Sequence, residues 1–236
     1  MADEPLPRGN RILDALPDHD RARLNAKLEP MRLELKEQLH VPGGRIDSVY
    51  FPLDAVTSLL NVVEDAGGVE VATIGNEGLV GLPVSWGASY ANSRELVQVQ
   101  VPGEALRMDA GVFATEIAAH ESLSSVVQRY TQAFFAQVTQ QVACNGLHSI
   151  QERCARWLLL THDRIGSDEF PLTQDFLAQM LGARRPTVST AAGILSQAGL
   201  IRYRRGRLTV TDREGLEGAS CECYAVVREV FDRLLV

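Results

Sequence analysis

The sequence predicts an α+β fold with an N-terminal antiparallel β-roll, one long helix and a C-terminal winged helix-turn-helix. Short apolar runs with the alternation of β-strands, separated by turn residues, fill the first half of the chain. A helical pattern without glycine or proline then covers residues 123–145. Two short amphipathic helices and an arginine-rich hairpin follow between residues 172 and 212. The predicted domains are a β-roll over 1–119, a long helix over 120–146 and a winged helix-turn-helix over 147–236.

Composition is typical of a folded soluble protein, with 45% hydrophobic and 22% charged residues among 236. No apolar run approaches the roughly 18–20 residues of a membrane span. The acidic, polar N-terminus has no signal-peptide core, so we expect a cytoplasmic location. The net charge of −7 is unevenly distributed, since seven arginines and one acidic residue lie within 183–213. This excess predicts a cationic surface on an otherwise acidic protein.

The β-roll is predicted from short β-rich runs after a pair of helices over 11–29. Many short strands with turn signals between them favour a compact antiparallel roll or barrel. The turns are expected at 42–44 and 65–68. The predicted strands cover residues 31–36, 49–51, 56–63, 69–74, 96–101 and 105–108.

The long helix follows a shorter one over 110–119 and carries an apolar stripe that needs a partner. One interpretation packs the stripe against the β-roll of the same chain. The other, which we favour, pairs it with the same helix of a second subunit, because two-fold symmetry suits palindromic DNA. Gly146 is expected to break the helix and act as a hinge. The stripe consists of Leu123, Val127, Tyr130, Phe134, Val138 and Val142, of which the first five are the candidate interface residues.

Residues 172–199 have the pattern of a helix-turn-helix. Thr173 is a candidate N-cap, Gly182 permits the turn, and the second helix is expected to start around Pro186, which suits a first helical position. Val188, Ala191, Ala192 and Leu195 are predicted to form its buried face. An ordinary helical hairpin with solvated arginines would show the same spacing. The arginine-rich hairpin that follows favours DNA binding, with the second helix in the major groove.

Residues 200–212 alternate as a β-hairpin with Arg204–Arg207 at its turn, and a final helix is predicted over 224–235. An arginine-rich tip next to a helix-turn-helix can contact phosphates while the second helix contacts bases. The candidate DNA-binding residues are Thr173, Arg184, Arg185, Thr187, Ser189, Thr190, Arg204, Arg205 and Arg207.

This order of parts resembles the cyclic-AMP receptor/FNR (Crp/Fnr) family of bacterial transcription regulators over nearly the whole chain. The most specific segments are ERCARWLLLTHDRIG, LTQDFLAQMLGARRPTVS and GLIRYRRGRLTVTD. The resemblance implies a cyclic-nucleotide-binding-like jelly roll, a homodimer built on the long helix, and a palindromic DNA operator. It also implies RNA polymerase as a partner and no membrane association. Pro186 and Thr190 replace a Glu and an Arg with which the family reads a TGTGA half-site, so we expect a different operator.

The sensor of the resembled family lies in the β-roll, where the candidate effector-binding residues are Glu77, Gly78, Gly81 and Arg94. Cyclic-nucleotide pockets of that family use Gly-Glu for the ribose and Arg-Ser/Thr for the phosphate. Here Gly81 is followed by Leu82, and Arg94 by Glu95, whose carboxylate would repel a phosphate. We therefore expect a regulator with a signal other than a cyclic nucleotide. A cyclic-nucleotide-dependent regulator and a signalling module acting through protein contacts are the alternatives.

Four cysteines lie at positions 144, 154, 221 and 223, too few and too clustered for a disulfide scaffold. The family's iron–sulfur sensor uses N-terminal cysteines, and none precedes Cys144. Cys221-Glu222-Cys223 could help bind a metal or act as a redox pair, but it lacks a convincing second pair of ligands. We expect half-buried thiols under the last helix and no metal or evident cofactor. Haem binding remains an alternative, since the chain contains five histidines, although none of them lies in a haem-binding motif. No catalytic motif is found, which favours a protein that is not an enzyme.

Overall fold

The computed structural model describes residues 9–63 and 67–235, and it confirms the predicted fold class. Two short helices, α1 (Arg11–Asp14) and α2 (Asp18–Asn25), precede the β-roll. Two antiparallel sheets form the roll, with strand orders β1-β7-β3 and β2-β6-β4-β5. The strands are β1 (Glu29–Leu33), β2 (Gln38–His40), β3 (Ser48–Pro52), β4 (Val56–Val63), β5 (Gly67–Ile74), β6 (Glu95–Val101) and β7 (Gly103–Asp109).

The first strand departs from its predicted bounds. It was expected over 31–36, whereas β1 ends at Leu33 and Leu35 is exposed. Lys36 has a φ of +67°, a conformation that an extended strand does not tolerate. Part of the predicted turn over 65–68 lies outside the described residues. The strand β2 was not predicted, since three residues are too few to show an alternation of apolar and polar side chains.

A 3-10 helix (Leu82–Trp86) lies between β5 and β6. The helical centre of the chain follows β7 and consists of α3 (Ala110–Ala119), α4 (Glu121–Leu147) and α5 (Ile150–Ile165). The prediction that Gly146 breaks the long helix is wrong, because α4 continues through it to Leu147. A glycine in the last turn costs only about 1 kcal/mol relative to alanine. The break lies at His148 and Ser149, and Ser149 caps α5 in a capping box with Glu152.

The C-terminal domain contains a three-stranded antiparallel sheet in the order β8-β10-β9. Among the described residues, no helix has both the length and the apolar character that a bilayer span requires. The elements are β8 (Glu169–Pro171), α6 (Gln174–Met180), α7 (Arg185–Gln197), β9 (Ile201–Arg204), β10 (Arg207–Val210), α8 (Arg213–Gly218) and α9 (Cys223–Leu234).

The two halves are joined by buried side chains of α5 and by the turn between α6 and α7. The indole N–H of Trp157 donates to Glu70 Oε1 over 2.8 Å. Gly182 in the turn lies so close to β5 that an added Cβ would come within 3.0 Å of the Val69 side chain. The helix α9 packs along α4. The helix-turn-helix therefore rests directly on the β-roll.

Candidate nucleic-acid interface

The turn of the helix-turn-helix is built by local backbone chemistry. The Thr173 hydroxyl accepts from the Phe176 N–H over 3.2 Å and so caps α6, as predicted. Gly182 has a φ of +58°, which favours glycine, and allows the sharp turn. Arg185 begins α7, with Pro186 in its first turn where no intrahelical donor is needed.

One face of α7 packs into the core and the other is open to solvent. The predicted stripe of Val188, Ala191, Ala192 and Leu195 is buried, which confirms the helical register. The same register exposes the side chains of Arg184, Arg185, Thr187 and Thr190 at the N-terminal end of the helix. The structure thus presents four of the five predicted α7 residues to solvent.

The fifth residue, Ser189, is half-buried, and its hydroxyl donates to Gln174 Oε1 of α6 over 2.6 Å. Arg185 Nε lies 3.1 Å from Asp175 Oδ1, and both side chains are exposed. An exposed ion pair of this kind contributes little, so the guanidinium can exchange Asp175 for another acceptor. Sequence reasoning missed Gln174 and Asp175, although both follow the Thr173 cap directly.

The hairpin after α7 has a two-residue turn. Arg204 pairs with Arg207 across it, and the turn residues Arg205 and Gly206 have φ values of +50° and +77°. Positive φ at both central residues is the geometry that matches the twist of a hairpin. Gly206 O accepts from the N–H of Leu172, one residue before Thr173, over 2.9 Å. The tip of the hairpin is thereby fixed beside the start of the helix-turn-helix.

The arginines of the hairpin line one shallow depression. Arg202, which sequence reasoning left out, lies two residues from Arg204 and therefore on the same face of β9. The side chain of Arg207 is paired with Glu169 of β8. The depression is lined by Glu169, Arg202, Arg204, Arg205, Arg207 and Thr209. We call these arginines and the exposed α7 residues together the cationic face.

Thr173 occupies a different environment from the rest of the predicted DNA-binding residues. Although exposed, it lines a groove between α6 and the β2-β6 edge of the roll. Lys36 and Gln38 form the opposite side of that groove. A phosphate at Thr173 would therefore share the groove with the ammonium group of Lys36.

A Crp-like helix-turn-helix domain model matches residues 152–219, which include α6, the turn, α7 and the hairpin. A comparison with curated proteins gives no match. Solved structures of the same architecture extend the likeness over most of the chain. The chain therefore contains a Crp-like helix-turn-helix domain, and its overall fold is that of solved Crp/Fnr-family structures.

Three of these structures show the extent of the shared fold. FixK2 from Bradyrhizobium japonicum has a TM-score of 0.68 and 14% identity, with 82% of this chain and 98% of FixK2 covered. A CRP-family transcriptional regulator from Thermus thermophilus has a TM-score of 0.66 and 19% identity, covering 82% of this chain and 99% of that one. A Crp/Fnr-family regulator from Eubacterium rectale has a TM-score of 0.65 and 15% identity, with 88% of this chain and 96% of that one covered.

The four predicted effector-binding residues are not brought together in one site. Glu77 is buried in an ion pair with Arg164 of α5. Gly78 lies directly under the Tyr130 ring, where an added Cβ would come within 2.6 Å. Arg94 donates from Nη1 to the Val62 carbonyl over 3.3 Å at the end of β4. Gly81 lines a cavity between the roll and α4.

That cavity has a volume of about 130 Å³ and is mostly apolar. Burial of the Tyr130 phenol raises its pKa, so it contributes a neutral side chain to the wall. Glu95 is the ionisable carboxylate at the site. The lining residues are Leu59, Ile74, Leu79, Gly81, Leu82, Pro83, Trp86, Glu95, Val97, Tyr130 and Phe134.

The predicted dimer stripe of α4 packs mainly inside its own chain. Leu123, Val127 and Tyr130 are buried, while Phe134 and Val138 are half-buried. The Tyr130 ring lies 5.8 Å from that of Phe134. The assignment of Leu123, Val127 and Tyr130 to a subunit interface is therefore wrong, because the β-roll and α9 already cover them. The most apolar stripe of the helix marks its intramolecular face.

A second stripe of α4 is exposed along the helix at steps of four and three residues. Phe135 is 68% exposed and Val142 is 70% exposed. Sequence reasoning assigned Val142 to the first stripe and did not recognise the second one, because glutamine and threonine give it a weak hydropathy signal. We call it the outer stripe, and it consists of Gln128, Gln132, Phe135, Thr139, Val142 and Gly146.

Three of the four cysteines come together, contrary to the expectation that Cys221 and Cys223 lack a second pair of ligands. Cys144 and His148 at the end of α4 complete the group, and the four ligand atoms all lie within 4.8 Å of one another. The cysteines are fully buried rather than half-buried. Cys154 is buried separately in α5.

Proposed function

We propose that this protein is a homodimeric, sequence-specific DNA-binding transcription regulator that is not an enzyme. Residues 1–119 would form the sensor, 120–146 the dimerisation helix and 147–236 the DNA-binding domain. The observation that carries the proposal is the cationic face, in which the exposed start of α7 and the arginine hairpin belong to one helix-turn-helix domain. A cationic, exposed helix start fits the phosphate backbone and base edges of a DNA major groove.

The contacts divide by position on the cationic face. Arg185, Thr187 and Thr190 lie on the solvent side of α7 and would reach base edges. Arg184 and the hairpin tip at Arg205 would contact phosphates and set the register of the helix. Ser189, held by Gln174, would support the orientation of α7 more than it would contact bases.

The outer stripe of α4 supports a parallel pairing of two subunits. Alternating steps of four and three residues give the seam of a two-stranded coiled coil. Phe135 and Val142 would supply its apolar contacts, since both are exposed in the single chain. A two-fold dimer would place two α7 helices on successive half-sites of a palindromic operator. Regulation would then act through RNA polymerase bound beside that operator.

The sensor geometry supports a signal other than a cyclic nucleotide. Glu77 is not available to a ligand because it forms an ion pair with Arg164. The cavity at Gly81 has a volume of about 130 Å³, which is smaller than the roughly 300 Å³ of an ordinary ligand pocket. Its walls offer no cation to a phosphate among the lining residues. A small apolar effector fits this cavity better than an anionic one.

Selection of binding sequences from random double-stranded DNA, followed by titration at fixed salt, tests the function. We expect enrichment of a palindrome. Arg185→Ala should weaken binding to it by about 1–3 kcal/mol and relax one base position. Arg233→Ala, which removes an exposed arginine of α9, is the matched control and should leave binding unchanged. Failure to enrich any sequence would contradict sequence-specific binding. Equal losses of affinity for palindromic and random DNA would indicate that Arg185 contacts a phosphate and not a base.

A further inference from the structure

The three clustered cysteines and His148 lie where the end of α4 meets the start of α9. Cys144 and His148 are four residues apart at the end of α4, so their side chains share one face. Cys221 and Cys223 flank Glu222 at the start of α9. The cysteines are at most 4% exposed, so all three thiols are shielded from solvent. We call these four residues the Cys3His cluster.

Two of the distances between ligand atoms match those in the coordination shell of one metal ion, and all of them lie within 4.8 Å. Cys144 Sγ lies 3.5 Å from Cys221 Sγ, and Cys223 Sγ lies 3.5 Å from His148 Nδ1. In a tetrahedral zinc site with Zn–S bonds of about 2.3 Å and Zn–N bonds of about 2.0 Å, neighbouring ligand atoms lie about 3.5–3.8 Å apart. Thiolate and imidazole ligands in a tetrahedron favour zinc.

Residues around the cluster make hydrogen bonds of the kind that orient the ligands of a metal ion. His148 Nε2 lies 3.3 Å from Glu222 Oε2, so the carboxylate orients the ring with Nδ1 toward the thiols. The amide of Gln140 donates to Cys223 Sγ over 3.0 Å, a contact that stabilises a thiolate. The hydrogen bond with Cys221, together with the charge of Arg156, lowers the pKa of Cys144.

We propose that the Cys3His cluster is a structural zinc site. Four protein ligands close the coordination shell and leave no position for water or substrate, which distinguishes a structural site from a catalytic one. Zinc binding would displace the remaining thiol protons and form four metal–ligand bonds without any change in oxidation state. The ion would join the C-terminal end of α4 to the N-terminal end of α9.

The position of the ion gives it a defined mechanical effect. The other end of α9 is already held, because Arg129 Nε of α4 donates to the Leu234 carbonyl over 3.0 Å. Zinc would fix the start of α9, so both ends of that helix would be tied to α4. The junction at His148 and Ser149, where α4 passes into α5, would be fixed by the same ion.

Metal analysis of the full chain, purified without chelator under reducing conditions, tests the proposal. We expect close to one equivalent of zinc per chain. Cobalt exchanged into the protein should show the d–d and thiolate charge-transfer absorption of a tetrahedral sulfur site. Cys221→Ser should lose most of the metal, whereas Cys154→Ser, which removes the buried cysteine outside the cluster, should retain it. Glu222→Gln should weaken zinc affinity by about 10–100-fold without removing a ligand.

Several outcomes would overturn the assignment. These are substoichiometric zinc, or iron with visible absorption in place of zinc. If Cys221→Ser fails to fold, the proposal can be tested by hydrogen exchange of the wild-type chain before and after a chelator removes the metal. We expect the backbone amides at the start of α9 to exchange faster after chelation. Unchanged protection there would contradict the proposed link. None of these readouts depends on DNA binding, so the zinc site and the proposed function fail separately.

Discussion

Glu77 and Arg164 form a buried ion pair that joins the β-roll to α5. Arg164 Nε lies 3.0 Å from each carboxylate oxygen of Glu77, and Nη2 lies 2.8 Å from Oε1. The two side chains are 6% and 5% exposed. A pair so arranged cannot release Glu77 to a ligand without leaving the guanidinium of Arg164 buried and unpaired.

Glu77→Gln should therefore destabilise the chain by about 3–5 kcal/mol, because it removes one charge and leaves the other buried. Urea unfolding followed by circular dichroism measures the change. Glu104→Gln is the matched control, since Glu104 is paired with Arg32 at the surface. Its cost should stay below about 1 kcal/mol. Similar losses of unfolding free energy in both variants would show that burial does not make the Glu77–Arg164 pair more important for stability than a surface pair.

Glu70 gives the stability of the protein a defined pH dependence. Burial raises the pKa of this carboxyl, and hydrogen bonds from Ser58 and Trp157 oppose the rise without cancelling it. The native state therefore binds the proton more tightly than the unfolded chain does. The stabilisation is fully present below the unfolded pKa of about 4.3 and is lost as the pH rises through the folded pKa.

Glu70→Gln, which mimics the protonated carboxyl, should remove this contribution. Arg156 is the cation that acts on Glu70, and the substitution leaves it in place. We expect the free energy of unfolding of the variant to decline less steeply than that of the wild type between about pH 4 and neutrality. Urea titrations at a series of pH values measure the slope. Parallel slopes for the two proteins would contradict a raised pKa at Glu70.

Phe135→Asp should dissociate the proposed dimer. A carboxylate on the outer stripe would have to be buried unpaired in the helix–helix seam. Sedimentation equilibrium should give the chain mass of 25.9 kDa for the variant and twice that mass for the wild type. Tyr90→Asp is the control, since Tyr90 is 62% exposed and Phe135 is 68% exposed, but it lies outside α4. A stable dimer of Phe135→Asp would exclude the outer stripe as the interface.

Arg205→Ala should reduce the salt dependence of DNA binding. One lost phosphate contact lowers the slope of log K against log salt by about 1 and weakens binding to all sequences alike. Arg205 has a φ of +50°, and alanine carries the same Cβ, so the strain of the turn is unchanged. Fluorescence anisotropy at several salt concentrations measures the slope. A change confined to one base position would instead indicate a base contact in a minor groove.

Local patterns in the sequence were sufficient to predict the helix-turn-helix and the hairpin. The buried stripe of α7, the cap at Thr173, the turn at Gly182 and the tip at Arg205 all follow from residues within a few positions of one another. Periodicity also located α4, but it could not say which of two stripes meets a second subunit, because both have helical spacing. The apolar stripe was the intramolecular one.

Contacts between distant residues were not predictable in this way. Glu77 and Arg164 are separated by 87 positions, and Cys144 and Cys221 by 77. Neither pair has a local signature, and only the folded chain brings them together. For that reason Glu77 was interpreted as a ligand-binding residue, and the two cysteines at 221 and 223 were interpreted as lacking partners.

The strand β5 connects two sites that the domain boundaries separate. Ile74 at one end lines the cavity beside α4, and Val69 lies against Gly182 in the turn before α7. Five residues of extended chain span only about 17 Å. A molecule that displaces Ile74 would thus act on the same hydrogen-bonded strand that lies against the turn before α7. Through the Val69 side chain, β5 connects the wall of the cavity directly to the turn that precedes α7.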